Sequence, residues 1–376
     1  RKLGESSALR VNVMGNIAEG GGVGIDKQGI APSISWGIGT ANEFTLSSYH
    51  LRNNNGIHYG LPYLSSGLWA TDPANYYGAS SDYNKTGTDQ LNFVHTHRLG
   101  GGAEIRTAAR VASYTRDQRA SAIRFAAAAL QPDGQAVTAS TFSNATVLTR
   151  GSNNKKMDMD TVYVQSDYNG KHKWFGMSHD VQAGADLSQE KFRNFAFSLP
   201  AGVTITKART TVGTVNDGAS VDESLRIATE NRNFTSRALG LYAQDLVQIA
   251  PMWKLLAGLR FDKLDGQYHA IAAQGNATQV VNGQTIANPC YTPANTRYSR
   301  DDSLWSKRLG VLFQPTPLQS YHVSYGTSFN TSGDAYQYDN GTANTAPESS
   351  RNIELGAKLD SESGNFTTRI ALFHST

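Results

Sequence analysis

The connections between β-patterned segments in this chain sort by length. Six are tight turns, at 37–41, 99–102, 169–173, 248–252, 314–318 and 360–364, and every other connection is long and polar, as at 53–90, 115–157 and 188–234. A soluble sandwich has no reason to place short and long loops on alternate ends, whereas a transmembrane β-barrel has short periplasmic turns and long external loops. The segments carry the matching pattern. Leu9, Val11 and Val13 alternate with Arg10 and Asn12, and Ile105, Ala109 and Val111 oppose Glu104, Arg106 and Arg110. Val181, Ala183 and Leu187 oppose Asp180 and Asp186; Leu255, Ala257 and Leu259 oppose Lys254 and Arg260. Leu309 and Val311 flank Arg308, and Ile353, Leu355 and Ala357 oppose Glu354 and Lys358, with Arg369 on the same polar face. A period of two with one continuous apolar face is a half-buried strand. Runs of roughly 9–11 such residues match a tilted membrane strand.

Alternation alone does not say which face is inside, because a soluble sandwich shows the same pattern turned inward. Loop sorting favours the inside-out arrangement, and so do the aromatics Trp36, Phe44, Trp174, Trp253, Phe313, Tyr321 and Phe366, which flank the short turns where an interfacial girdle belongs. No apolar run approaches the roughly 20 residues of a membrane helix, so a membrane protein of this sequence has to pair its backbone groups between strands. A net charge of +3 with dispersed basic residues gives no footprint for nucleic acid. The single cysteine, Cys290, excludes an intrachain disulfide.

Thirteen strands are expected, from near Ala8 to near His374. Bacterial single-chain barrels have even strand numbers. The fold expected is therefore all-β: an antiparallel transmembrane β-barrel domain over 1–376, the internal portion of a 22-stranded plugged barrel whose plug and last strands lie outside the chain. Pro32 cannot donate to a ladder, so a bulge or local break is expected there.

Gln314-Pro315-Thr316-Pro317 followed by Tyr321 to Phe329, Pro347-Glu348 with Glu354-Leu355-Gly356-Ala357-Lys358, and Tyr242-Ala243-Gln244-Asp245 with Gly258-Leu259-Arg260-Phe261-Asp262 resemble signatures of the TonB-dependent siderophore receptors. Ile30-Ala31-Pro32-Ser33 and Tyr77-Gly78-Ala79-Ser80 look like the catecholate-type branch. The resemblance runs in order over essentially the whole chain. It implies an integral protein of the Gram-negative outer membrane that binds a ferric siderophore and imports it by coupling to the TonB energy-transducing complex through a plug. Its partners would be that ligand, the TonB complex and outer-membrane lipid, with no cofactor of its own, since iron arrives already chelated.

The loops are where ligand contact is expected. Aromatic faces pack on flat catechol rings and guanidinium groups offset a ferric catecholate's negative charge. The candidates are Tyr63, Trp69, Tyr76, Tyr77 and Tyr83 in the 53–90 connection, Arg116, Arg119 and Arg124 at the start of 115–157, and Tyr336 and Tyr338 in the last complete loop. The bland reading is that these aromatics pack loop against loop and that lumen charges pair with one another. His95-x-His97 shares a strand face but lacks a third ligand. Ser152-Asn153-Asn154-Lys155 matches S-x-x-K without its partner motifs. A passive porin, an outer-membrane barrel enzyme and a soluble β-rich binding protein are the rival readings.

Overall fold

Alternating segments pair with their chain neighbours, and here they do so from one end of the sequence to the other. The structure is a computed structural model that describes residues 1–20, 23–64, 71–330 and 345–376. Fifteen strands form one antiparallel sheet, of which Lys2–Gly4 and Thr210–Thr211 are three and two residues long. The thirteen long ones run in chain order: Ser7–Gly20, Val23–Trp36, Asn42–Asn55, Tyr83–Arg98, Glu104–Phe125, Val147–Trp174, Met177–Ser198, Ile227–Ala250, Trp253–Ala270, Thr296–Thr316, Gln319–Asn330, Glu348–Asp360 and Thr367–Ser375. The sheet is an open strip, and among the described residues its first and last long strands do not pair with each other. A separate hairpin, Thr278–Val281 with Gln284–Ala287, lies in one of the long connections.

Register fixes the faces. Leu9, Ile34 and Leu46 are cross-strand neighbours, as are Val111 and Val162, Leu187 and Leu239, and Leu241 and Phe261. These residues form a continuous belt in which Val13, Val111, Leu187, Leu309, Leu355 and Leu372 are all exposed. An uninterrupted exposed apolar face of this extent belongs against lipid. Towards the short turns the belt ends in paired rings, Trp36 stacked on Phe44 at 5.3 Å, His172 stacked on Trp174 at 4.5 Å and Trp253 tilted against Phe313 at 4.5 Å. His95 and His97 belong to this girdle: both face the Asn42 side-chain oxygen, at 3.0 and 2.8 Å, and His95 stacks on Phe44.

Two expectations need correction, and a third is met. The Asn169-Gly170 pair does not turn the chain; the strand continues to Trp174, and the turn is made by Phe175 and Gly176, at φ 52 and 78. Gly170 instead lies beneath the Tyr168 phenol, where a side chain would collide. At Pro32 the expected local break is present, without a bulge. The Pro32 ladder with Ser7–Gly20 is unbroken, while on its other side pairing skips from Ile30↔His50 to Ser33↔Ser47 without changing register. One loop-side connection is short, since Gly20 pairs with Val23.

The strands also outrun the membrane. Glu104–Phe125 and Val147–Trp174 pair without a register shift from Glu104↔Asn169 to Phe125↔Leu148. At about 3.3 Å per residue such strands exceed the ~30 Å hydrocarbon core even when strongly tilted. Arg116, Arg119 and Arg124 are therefore strand residues, not loop residues. Replacing Leu259 by Arg in the intact protein is expected to cost about 2–4 kcal/mol of folding into lipid vesicles. Lys254→Gln, on the opposite face, should stay within about 0.5 kcal/mol in the same urea titration. Equal losses would show that the faces are assigned wrongly.

Candidate functional site

The face opposite the belt is polar and cross-linked over glycines. Gly240 lies opposite both Asp186 and Asp262, and its missing side chain lets Arg260 reach across a whole strand to Asp186 at 2.8 Å while also holding Asp262 at 2.7 Å. Gly184 does the same for Tyr242, whose hydroxyl passes over it to donate to Asp167 and to meet Gln165 at 3.0 Å. Tyr163 donates to Gln165 at 2.6 Å, and Gln244 to Gln182 at 2.8 Å. These side chains sit about six to twelve residues from the short turns, so this wall spans the membrane. Charged groups pointing away from lipid in a sheet this wide line a lumen.

Further from the short turns the same face turns apolar. Phe192, Phe234, Tyr268 and Ala270 are buried together, with Met157, Met159 and Tyr298 packed against them. Sequence reasoning missed this cluster, because it looked for ligand-type aromatics in loops and these sit on strands with polar residues between them. The alternation of Phe192, Phe234 and Tyr268 with belt-side neighbours was the available signal.

The loop candidates fall into three groups. Tyr76, Tyr77 and Arg119 are structural. Tyr77 is 1% exposed, packs with Leu148 and Val212, and donates its hydroxyl to the Val212 carbonyl at 2.8 Å. The Tyr76 hydroxyl donates to Ala79 and, desolvated and near Asp82, is pushed up to about 12, so it stays a neutral donor. Arg119 is buried between Asp117, at 3.0 Å, and the Phe197 ring, at 3.8 Å. These three present no open surface to a ligand. Their setting is a cap in which residues 71–82 and the 199–226 connection fold onto the belt-side face of the Glu104–Phe125/Val147–Trp174 hairpin above the membrane. Arg150 holds it by donating to the carbonyls of Tyr77 and Ala208 and to Asp217, at 2.6, 3.0 and 2.7 Å. Lys207, buried with Asp82, donates to Asp82, the Ala120 carbonyl and Ser121, each at 3.1 Å.

Tyr83 shares that belt-side face, with Lys85 4.4 Å over its ring. Tyr63 is 71% exposed. Arg116 and Arg124 lie on the lumen side, Arg116 donating to Asn84 and Gln118. Trp69, Tyr336 and Tyr338 lie outside the described residues. Among the described residues no group of three or more His, Cys, Asp or Glu side chains could hold a metal ion.

Residues 33–376 match the family model described as TonB dependent receptor-like, beta-barrel. The chain is 25% identical over 412 residues to the catecholate siderophore receptor Fiu of Escherichia coli K12, covering 99% of this chain and 51% of that protein. It is 25% identical over 416 residues to the probable TonB-dependent siderophore receptor PiuA of Acinetobacter baumannii, covering 100% and 51%. The crystal structure of Fiu in its closed form superposes with a TM-score of 0.81 at 22% identity, over all of this chain and 55% of that one. That of PiuA gives 0.80 at 22% identity, over 99% and 53%. The chain thus spans about half the length of these relatives.

The cap generates a test. Burial alone would raise the Asp217 carboxyl, but hydrogen bonds from Arg150 and the Ala219 amide hold it below its ordinary value. Its stabilisation is therefore present above the ordinary carboxylate range of about 4 and is lost as pH falls through the depressed value. Pepsin should begin to nick 199–226 only below that range. Arg150→Ala should open the segment to neutral protease, with a local loss of about 3–5 kcal/mol, while the barrel stays folded.

Proposed function

The chain belongs to the TonB-dependent receptor β-barrel family of outer-membrane proteins, and from that premise we propose that it forms part of the barrel of a receptor that binds an anionic ferric siderophore and imports it by TonB-coupled active transport. The family is one of receptors rather than enzymes. The observation that carries the reading is the division of one sheet into an apolar belt and a charged, glycine-relieved lumen wall rising well above the membrane into heavy loops. A passive pore needs neither the height nor the cap. The names of the relatives, a catecholate receptor and a siderophore receptor, support the ligand class.

Within that reading, ligand contact falls to lumen-side and exposed groups: Arg116 and Arg124 for charge, and the exposed Tyr63 ring for a catechol face. Phe192, Phe234 and Tyr268 supply an apolar backing to the same upper lumen. Tyr83, on the belt side, is the weakest of the remaining candidates. TonB acts on the plug, which would occupy the lumen of the full-length receptor, and lipid contacts the belt.

Full-length receptor in iron-starved cells is expected to accumulate an anionic ferric catecholate only while the inner membrane is energised. Accumulation that persists under a protonophore would leave a passive pore instead. Arg116→Gln with Arg124→Gln should weaken equilibrium binding by about tenfold. Added salt should weaken wild-type binding more than that of the variant.

A further inference from the structure

Two cations stand on the lipid side of the sheet inside the apolar belt. Lys307, on Thr296–Thr316, and Arg351, on Glu348–Asp360, are both exposed and share a face with Leu309, Val323 and Ile353. Lys307 is six residues above Phe313, and Arg351 is six above Ala357, the neighbour of Tyr321 in the short-turn girdle. Six residues are about 20 Å of strand, or roughly 15 Å of height at a tilt near 40°. The apolar band of such a barrel is about 25 Å tall, so both cations start in its outer half. One position above Lys307 on the same face, the Trp305 ring lies 5.0 Å from that of Phe261, as an upper girdle would.

A cation on the lipid face is costly in a depth-dependent way, and elsewhere the belt offsets that cost by pairing. At a comparable height Asp89 is held by Arg52 and His50; lower down Asp245 holds His179, and higher up Lys263 is paired with Asp301. Lys307 and Arg351 form no ion pair among the described residues. The neighbours of Lys307 on its face are uncharged: Leu259 opposite, Ala257 and Phe261 diagonal, Trp305 and Leu309 along the strand, and Thr327, whose hydroxyl accepts from the Lys307 amide at 3.0 Å. Around Arg351 the same is true of Thr327, Ser349 and Ile353, and His374 beside Ile353 brings no negative charge. Asp301 is six residues further up, about 20 Å along the strand. Both cations look outward, so a plug in the lumen does not reach them.

Thr327 lies between the two, bonded to Lys307 on one side and paired with Arg351 on the other. Two strand spacings set their backbones about 10 Å apart across this small side chain. Long basic side chains lie along apolar surface and carry their charge up to the headgroup level. Ammonium and guanidinium groups converging there match the oxygens of a phosphate through charge-assisted hydrogen bonds. The surface beneath them is aliphatic, so the anion that fits carries its own acyl chains.

We propose that Lys307 and Arg351 form a site for the phosphate of an outer-leaflet lipid, whose acyl chains run down the belt over Leu309 and Ile353. The site rests on the outer-membrane barrel and not on the siderophore reading, so a failure of one leaves the other standing.

The test uses purified full-length receptor in maltoside micelles, with phosphorylated lipid A as the probe and dephosphorylated lipid A as its control, titrated and read by native mass spectrometry. Wild type should bind the phosphorylated probe about tenfold tighter than the control. Lys307→Gln with Arg351→Gln should erase that preference, and Lys307→Arg with Arg351→Lys should keep it, each variant retaining the heat-modifiable migration of a folded barrel. Should the Gln pair fold poorly, Lys307→Met with Arg351→Met, which suits a lipid-facing position, reads the same loss. A wild type that does not distinguish the two lipids overturns the site, and so does a Gln or Met pair that keeps the preference. Inorganic phosphate that displaces the probe at equal concentration would make this a site for soluble anions and overturn the lipid assignment.

Discussion

Everything in this structure depends on backbone pairing between neighbouring strands. Inside hydrocarbon an unpaired N–H or C=O costs several kcal/mol, so each strand must match its neighbours residue for residue, and register ceases to be adjustable. Once register is fixed, so is the face of every side chain. The ladder from Glu104↔Asn169 to Phe125↔Leu148 shows the consequence. Arg116 and Arg119 are three residues apart, yet one looks into the lumen and the other is buried on the belt side under the cap.

The same ladder leaves the membrane without interruption, and there its chemistry changes. Below, one face meets lipid and the other a polar lumen; above, both meet polar surroundings or the chain itself. The two long connections use the belt-side face of the projecting hairpin as a floor. The ion pairs that hold them, Arg150 with Asp217 and Lys207 with Asp82, are buried and supplied with backbone carbonyls. Pairs of this kind add little net stability compared with apolar packing, but removing one partner is costly, so they specify one arrangement of the loops.

Along the wall, polar side chains reach one another across whole strands. Glycines at 184 and 240 let Tyr242 and Arg260 lie across neighbouring strands and saturate Asp167 and Asp186, which stiffens the sector from Val147–Trp174 to Trp253–Ala270. One strand away, Arg106 lies opposite Asp167 and Arg110 lies over the Tyr163 ring.

The period-two pattern determined the number of long strands and their order, because the belt is a single-solvent surface and a single solvent imposes strict alternation. The sorting of loops by length and the aromatics near the short turns added the lipid face and the short-turn end. The pattern also put Arg260 and Asp186 on one wall. It did not determine where strands end or which loop side chains are buried. Above the membrane alternation fades, so Arg116 to Phe125 looked like loop, and Asn169-Gly170 looked like a turn although Gly170 is there to seat Tyr168. Tyr77 and Val212 are 135 residues apart, and Lys207 and Asp82 125. Contacts of that separation leave no local trace, and only the folded ladder, by bringing both connections to one hairpin, decided that Tyr76 and Tyr77 are buried against the protein.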